Sequence, residues 1–324
     1  MARNKRPFRP VEDFEVGDEG VGAVAAKMAR SGGFAGRHFG EAVGVLKDMW
    51  DERECYRILS FTADVVSTGL RGVIKQLVRD RKFDMLVTTC GTLDHDLARC
   101  FAPYYEGDFS LDDRRLLREG YHRLGNVVIP KGSYGPVLEK FLQPMLEELH
   151  AGGLRSASAC ELAWEAGRRT GDEGSILYWA EKNRIPVMVP GITDGAFGSQ
   201  VWLFHQRRRD FQLDLMKDEQ MMSDAVFDAK RLGAVMLGGG ISKHHTIWWA
   251  QFRGGLDYAA YVTTAVEYDG SLSGALLKEA ISWGKVKPRA KQVTVHGDVT
   301  ALFPFLVAAA LSGRGPRSRR GAPP

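Results

Sequence analysis

Residues 279–285 read Glu279-Ala280-Ile281-Ser282-Trp283-Gly284-Lys285, which sets a lysine directly behind a glycine and two residues from an indole. A lysine held beside an indole in a partly dry pocket has a chemical use. Desolvation lowers an amine's pKa, and only the neutral amine attacks a carbonyl or imine carbon. The same letters also suit an ordinary helix end, with glycine at the cap and lysine favoured by the macrodipole. Upstream, Lys243-His244-His245 follows Gly238-Gly239-Gly240. His244 is either a cap or packing residue, or a general base, since imidazole titrates near neutrality. Adjacent histidines point to different sides of a helix and no third ligand stands at a suitable spacing, so these residues assign no metal.

A second group of residues shares a position rather than a chemistry. Thr88-Thr89-Cys90-Gly91, Thr193-Asp194-Gly195, Gly238-Gly239-Gly240, Thr264-Ala265 with Asp269-Gly270-Ser271, and Gly297-Asp298 each follow a short apolar run. If those runs are strands of one parallel sheet, all five lie at its carboxyl edge, where ligands of such sheets bind. Small residues with hydroxyls and carboxylates there describe a backbone-lined pocket for a polar, extended ligand such as a nucleotide. The Gly20-Val21-Gly22-Ala23-Val24-Ala25 match to a dinucleotide fingerprint is set aside, because no strand precedes it. It reads as a loop entering the first helix.

The elements that must position these residues alternate. Residues 83–88, 126–129, 186–189, 233–237, 258–264 and 292–296 read as buried strands. Between them, 65–79 places Val65, Val66, Leu70, Ile74 and Leu77 on one helical face, and 136–149, 223–231 and 299–311 read the same way. The expected fold is α/β: a doubly wound, mostly parallel sheet with helices on both faces. Residues 1–17 are expected to be an N-terminal arm, 18–311 one catalytic domain, and 312–324 a disordered basic tail.

The 324 residues are 44% hydrophobic, which supports a large buried core and excludes disorder as the main state. The net charge of +4 equals the contribution of Arg314, Arg317, Arg319 and Arg320, so the body is neutral. That argues against nucleic acid as a partner, which calls for a basic face on the folded body. Cys55, Cys90, Cys100 and Cys160 form no CxxC pair and are expected to be free thiols. The longest apolar stretch, 301–311, is too short to span a bilayer, and residues 1–10 lack the apolar core of a signal peptide. A soluble, cytoplasmic protein with no membrane partner is expected.

Taken in order, Thr88-Thr89-Cys90-Gly91, Leu237-Gly238-Gly239-Gly240-Ile241-Ser242-Lys243-His244-His245, Glu267-Tyr268-Asp269-Gly270-Ser271 and 279–285 resemble deoxyhypusine synthase, over residues 35–311. The resemblance implies an NAD-dependent enzyme on a Rossmann-like fold, a homotetramer with sites between paired subunits. In that family NAD takes a hydride from spermidine, and the resulting imine passes its butylamine portion to an enzyme lysine. A lysine of the translation factor 5A precursor then receives it. By position, Lys285 matches the covalent lysine and His244 the base. Ala63, Asp64, Ser67, Thr89, Cys90, Gly91, Asp194, Thr264, Ala265 and Asp298 match the NAD contacts. Asp64 stands where animal and fungal members have Asn. Apart from the 63–67 loop, these are the strand ends already singled out.

The polyamine contacts match less fully. Gly239, Gly270, Ser271, Glu279 and Trp283 are kept, and Asp94 stands in for a Glu. His95, Ser199 and Leu272 replace carboxylates. Each carboxylate–ammonium contact contributes on the order of 1–3 kcal/mol, so either neighbours such as Asp64 or Asp96 take over or the polyamine differs. Two alternatives to a protein-modifying synthase stay open: an aminobutyltransferase that makes homospermidine from a diamine acceptor, and a non-catalytic NAD-binding scaffold.

Overall fold

The structure is a computed structural model that describes residues 10–312. Residues 1–9 and the basic run of Arg314, Arg317, Arg319 and Arg320 lie outside the described residues. At its centre are six strands: β1 (Cys55–Phe61), β2 (Met85–Val87), β3 (Val187–Met188), β4 (Arg231–Leu237), β5 (Leu256–Thr263) and β6 (Val286–His296). Every neighbouring pair is parallel, and the order across the sheet is β6-β5-β4-β1-β2-β3. The chain therefore builds outwards from β1 in one direction, then returns to place β4 against the other side of β1. That doubly wound order leaves a topological switch point between β1 and β4.

Helices α1 (Val21–Met28) and α2 (Phe34–Asp51) precede β1. Between β1 and β2 lie α3 (Asp64–Ser67) and α4 (Leu70–Arg79), and α5 (Cys90–Phe101) leaves β2. The path to β3 carries α6 (Asp113–Glu119), α7 (Gly135–Ala151), α8 (Ala159–Thr170) and α9 (Ile176–Asn183). Then come α10 (Ala196–Arg207), α11 (Leu215–Asp228), α12 (Gly240–Gln251) between β4 and β5, and α13 (Val299–Leu311) after β6. Strand alternation divides the core in two. Leu59, Phe61, Val235, Leu237, Val262 and Val295 face the layer that includes α2, α4 and α13. Ile58, Val87, Ala234, Met236, Ala259 and Tyr261 face α11 and α12 through Met222, Val226, Ile247 and Ala250.

Five of the six expected strands belong to this sheet. The sixth, 126–129, does not: Val127–Pro130 pairs antiparallel with Tyr105–Glu106 and Tyr121–Leu124 in a separate small sheet. Its apolar run is short enough to satisfy either arrangement, so composition alone did not separate them. The expected helix 65–79 is two helices. Ser67 and Thr68 turn their hydroxyls back onto the carbonyls of Asp64 and Val65 at 2.7 Å, which ends α3 before α4 begins. The helix expected at 223–231 is the end of α11, and Arg231 already opens β4. The fingerprint-like stretch at Gly20 enters α1, as expected of a loop. Among the described residues no helix is long and apolar enough to cross a membrane.

Candidate active site

The expected strand ends do gather on one edge. Thr88–Gly91 follows β2, Asp194 lies between β3 and α10, Gly238–Gly240 follows β4, Thr264 and Ala265 follow β5, and Asp298 follows β6. β1, which the periodicity of the sequence did not reveal, delivers Ala63, Asp64 and Ser67 to the same edge beside the switch point. Six strands at about 4.8 Å spacing make this edge about 24 Å long, enough for an extended ligand.

Two of these loops are locked together. The Ala63 N–H donates to Thr89 Oγ1 at 3.2 Å. Any side chain at Gly91 would place its Cβ 2.8 Å from the Ala63 methyl, so glycine is what allows α5 to start this close to the β1 loop. Cys90 is packed inside, and burial followed by Asp94 pushes its thiol up to about 12. Its side chain serves packing, which leaves its backbone for ligand contact. Asp64, Asp194 and Asp298 have exposed side chains. Asp298 also caps α13, accepting from the Ala301 N–H at 3.1 Å and from the Thr300 hydroxyl.

Asp94 occupies a different environment from the pocket wall expected of a polyamine contact. It is fully buried, and its carboxylate accepts from Tyr134 Oη at 2.7 Å, the Ala196 N–H at 2.9 Å and the Phe197 N–H at 2.6 Å. It therefore caps α10. Burial raises its pKa, and those three donors oppose the rise. Asp96 is likewise committed, to Arg71, Ser175 and the first N–H groups of α9. His95 is packed with its Nδ1 3.0 Å from Tyr104 Oη, and burial pushes it down to about 4, so its ring is neutral.

Lys285 is not at a helix end. A single turn of 3-10 helix covers Glu279–Ile281, and Lys285 directly precedes β6. Its backbone starts the strand beside Leu256, whose N–H donates to the Lys285 carbonyl at 3.1 Å. The side chain runs from there to α12. It is 7% exposed, with Nζ 5.2 Å from the Trp283 ring centroid and 5.5 Å from that of Trp248. Two indoles thus flank the amine. Trp283 itself is 65% exposed, and Glu279, Gly270 and Ser271 are also on the surface.

α12 connects this lysine to the strand edge. Its first turn begins at Gly240, His244 stands about 6 Å further along, and Trp248 one turn beyond. His244 stacks on Trp248 with ring centroids 5.7 Å apart. Burial lowers the pKa of His244, and the charges of Lys285 and Lys243 lower it further, so the ring is a neutral base. Lys243 is 2% exposed and donates to the carbonyls of Leu272 and Ala275, both at 2.7 Å, with Nζ 3.9 Å from the Tyr261 ring centroid. It pins the 264–278 loop over the strand ends. Gly239 admits the same loop, since a Cβ there would lie 2.5 Å from Ser273 Cα.

Trp248, Lys243, Tyr104, Tyr134 and Arg99 line or brace these places and were not singled out from the sequence. Trp248 had a signal: it stands four residues after His244, one helical turn away. Tyr134 and Arg99 had none, because their partners lie 31 to 40 residues away, and Tyr104 meets His95 at a nine-residue spacing that marks no motif. The other two residues standing where carboxylates were expected, Ser199 and Leu272, are both exposed.

The comparisons with known proteins converge on one family. A family model described as "Deoxyhypusine synthase" matches residues 23–310. A Thermoplasma acidophilum protein named "Probable deoxyhypusine synthase" is 50% identical over 309 residues, which is 95% of this chain and 99% of that one. A Picrophilus torridus protein of the same name is 49% identical over the same shares. Among solved structures, a provisionally assigned deoxyhypusine synthase from Entamoeba histolytica aligns with TM-score 0.61 at 20% identity, over 91% of this chain and 94% of that one, and shows the shared fold. With a family model over nearly its whole length and relatives at about half identity end to end, the chain belongs to the deoxyhypusine synthase family of aminobutyltransferases.

Proposed function

We propose that this chain uses NAD and spermidine to place an aminobutyl group on Lys285, then passes it to a lysine of the translation factor 5A precursor. The observation that carries the reading is the lysine itself: an amine almost wholly buried between Trp283 and Trp248, with a neutral His244 on the same helix as one of those indoles.

NAD fits the strand edge. Ala63, Thr89 and Gly91 form a tight backbone cradle there, and Asp64, Asp194 and Asp298 offer exposed carboxylates that suit ribose hydroxyls. The first turns of α5 and α12 have no side-chain cap, so their N–H groups suit a pyrophosphate. Ser67, Thr264 and Ala265 complete the proposed contacts. NAD bound there supplies a hydride acceptor and donor.

This chain's own residues do the rest. His244, neutral and one turn from the edge, is placed to take a proton from the substrate amine. The Lys285 amine adds to the imine carbon of the oxidised donor, and 1,3-diaminopropane leaves as that C–N bond breaks. The acceptor lysine repeats the exchange and frees Lys285. Gly239, Gly270, Ser271, Glu279 and Trp283 are the proposed substrate contacts, with His95 as a neutral wall. Asp94 and Asp96 are committed internally, so of the two neighbours considered for the missing charges only Asp64, shared with the cofactor contacts, stays exposed.

One catalytic domain, 18–311, is proposed to act in the cytoplasm as a homotetramer with sites at subunit interfaces. Support for the shared site comes from the rim: Trp283 and Trp248, the two indoles beside the lysine, expose apolar surface, as do Tyr268 and Leu272 in the loop that Lys243 pins. Incubation with NAD and labelled spermidine, with and without the factor 5A precursor, tests the reading. Aminobutyl label on the precursor lysine supports it; aminobutyl label found only in a triamine formed from an added diamine overturns the protein acceptor.

A further inference from the structure

α3 is a single turn, Asp64–Ser67, with no regular continuation before Gly69. The Thr68 carbonyl just beyond it accepts the Arg71 N–H at 3.3 Å, while the Val66 carbonyl lies past the last turn that could pair it. One side chain reaches both. Arg99, two helical turns into α5, sends Nη1 to the Val66 carbonyl at 2.8 Å and to the Thr68 carbonyl at 2.6 Å. The guanidinium is half-buried and lies 5.8 Å from the Tyr104 ring centroid, and Tyr104 Oη in turn meets His95 Nδ1 at 3.0 Å. The other end of the turn is tied through Ala63 to Thr89, at the start of the same helix that carries Arg99. α5 thus grips the 63–68 turn at both ends.

We propose that Arg99 is a positioning residue for the nucleotide-binding turn 63–67, setting the depth at which Ala63, Asp64 and Ser67 meet the cofactor. The inference rests on the NAD reading given above. A planar guanidinium holds two carbonyls in a fixed fork, which an ammonium on a flexible stem does less well. Without it, the Val66 carbonyl must find water and the Thr68 carbonyl keeps only the Arg71 N–H, so the turn loosens while the sheet stays in place.

The test compares Arg99→Met, Arg99→Lys and Asp298→Asn in the full-length chain. NAD binding is measured by calorimetry and amide exchange over residues 64–69 by mass spectrometry. Arg99→Met is expected to weaken NAD about fivefold to tenfold and to speed exchange in that segment. Arg99→Lys recovers part of both losses, and it carries the same comparison if the methionine variant does not fold. Wild-type NAD affinity in the Arg99 variants, with Asp298→Asn weakened, overturns the positioning role and leaves the NAD site intact. Faster exchange with unchanged NAD affinity in all three variants overturns the NAD site itself, and this proposal with it.

Discussion

The carboxylate of Asp94 accepts the backbone N–H of Phe197 at 2.6 Å, across 103 residues of chain. This one bond, with its neighbours from Ala196 and Tyr134, fixes the start of α10 against α5. It also sets where Asp194, two residues before α10, projects over the strand edge. A residue that by position suggests a polyamine ligand is thus bonded as a structural cap.

Asp94→Ala leaves two N–H groups and a tyrosine hydroxyl buried without an acceptor, and is expected to cost about 2–4 kcal/mol in urea unfolding. Asp94→Asn keeps one acceptor oxygen and should cost less. A polyamine ligand would behave otherwise. Its Asn variant would raise the KM for spermidine while leaving the unfolding midpoint where it was.

His95 makes stability sensitive to acid. Burial pushes it down to about 4 in the folded chain, against about 6.5 when unfolded. Above pH 6.5 both states are neutral and its contribution is fully present. As pH falls from 6.5 towards 4, only the unfolded chain takes up the proton, and stability is lost by about 3 kcal/mol. His95→Gln, which still offers an acceptor to Tyr104, should remove that slope. Urea midpoints at several pH values check it: parallel wild-type and variant curves would refute a buried neutral imidazole.

The unequal legibility of the sequence has physical causes. β4 and β5 announce themselves as apolar runs closed by small residues. β1 does not, because Arg57 and Ser60 interrupt its pattern. Both are nonetheless buried, Arg57 because its guanidinium pairs with Asp84 through two bonds at 2.8 Å. Missing β1 meant that the 63–67 loop rested on resemblance alone. Restoring it makes that loop one more strand end on the common edge. For Lys285 the sequence leaves two readings open, since glycine and lysine after a helical pattern signal a cap equally well whether or not a strand follows at once. The bonds that set Asp94 and Asp96 inside could not be read at all, since their donors lie between 25 and 103 residues away.

Asp298 has two duties that substitution can separate. Asp298→Ala removes the α13 cap and is expected to lower stability by about 1 kcal/mol as well as NAD affinity. Asp298→Asn keeps an acceptor for the Ala301 N–H and so should retain most stability, yet weaken NAD by about tenfold if a ribose is held through the carboxylate. Calorimetry on both variants decides. Equal NAD affinity in Asp298→Asn and wild type would remove Asp298 from the cofactor site.

Leu272 is exposed, while its carbonyl is held by Lys243. Leu272→Asp therefore adds a carboxylate near the polyamine contacts without touching that anchor. The KM for spermidine should fall about twofold to fivefold, the modest gain expected of a solvated charge pair. A rising KM would mean that the neutral rim selects a different polyamine.

The decisive test concerns which amine becomes covalent. Three lysines compete for the assignment: Lys285 itself, Lys287 two residues on, and Lys243 on α12. Lys243 is buried and its ammonium donates to the carbonyls of Leu272 and Ala275, both at 2.7 Å, so it serves as an anchor for that loop. Lys287 donates to Asp257 at 2.7 Å, within a cluster that also holds Arg231 and Arg253. Lys285 is the one whose Nζ lies between two indoles. With NAD, spermidine and borohydride, mass spectrometry should locate the reduced butylamine adduct on Lys285. Lys285→Arg keeps the charge but stays protonated, so it should bind NAD as the wild type does and lose essentially all transfer. An adduct on Lys243 or Lys287, or transfer that survives in Lys285→Arg, would overturn the assignment of Lys285.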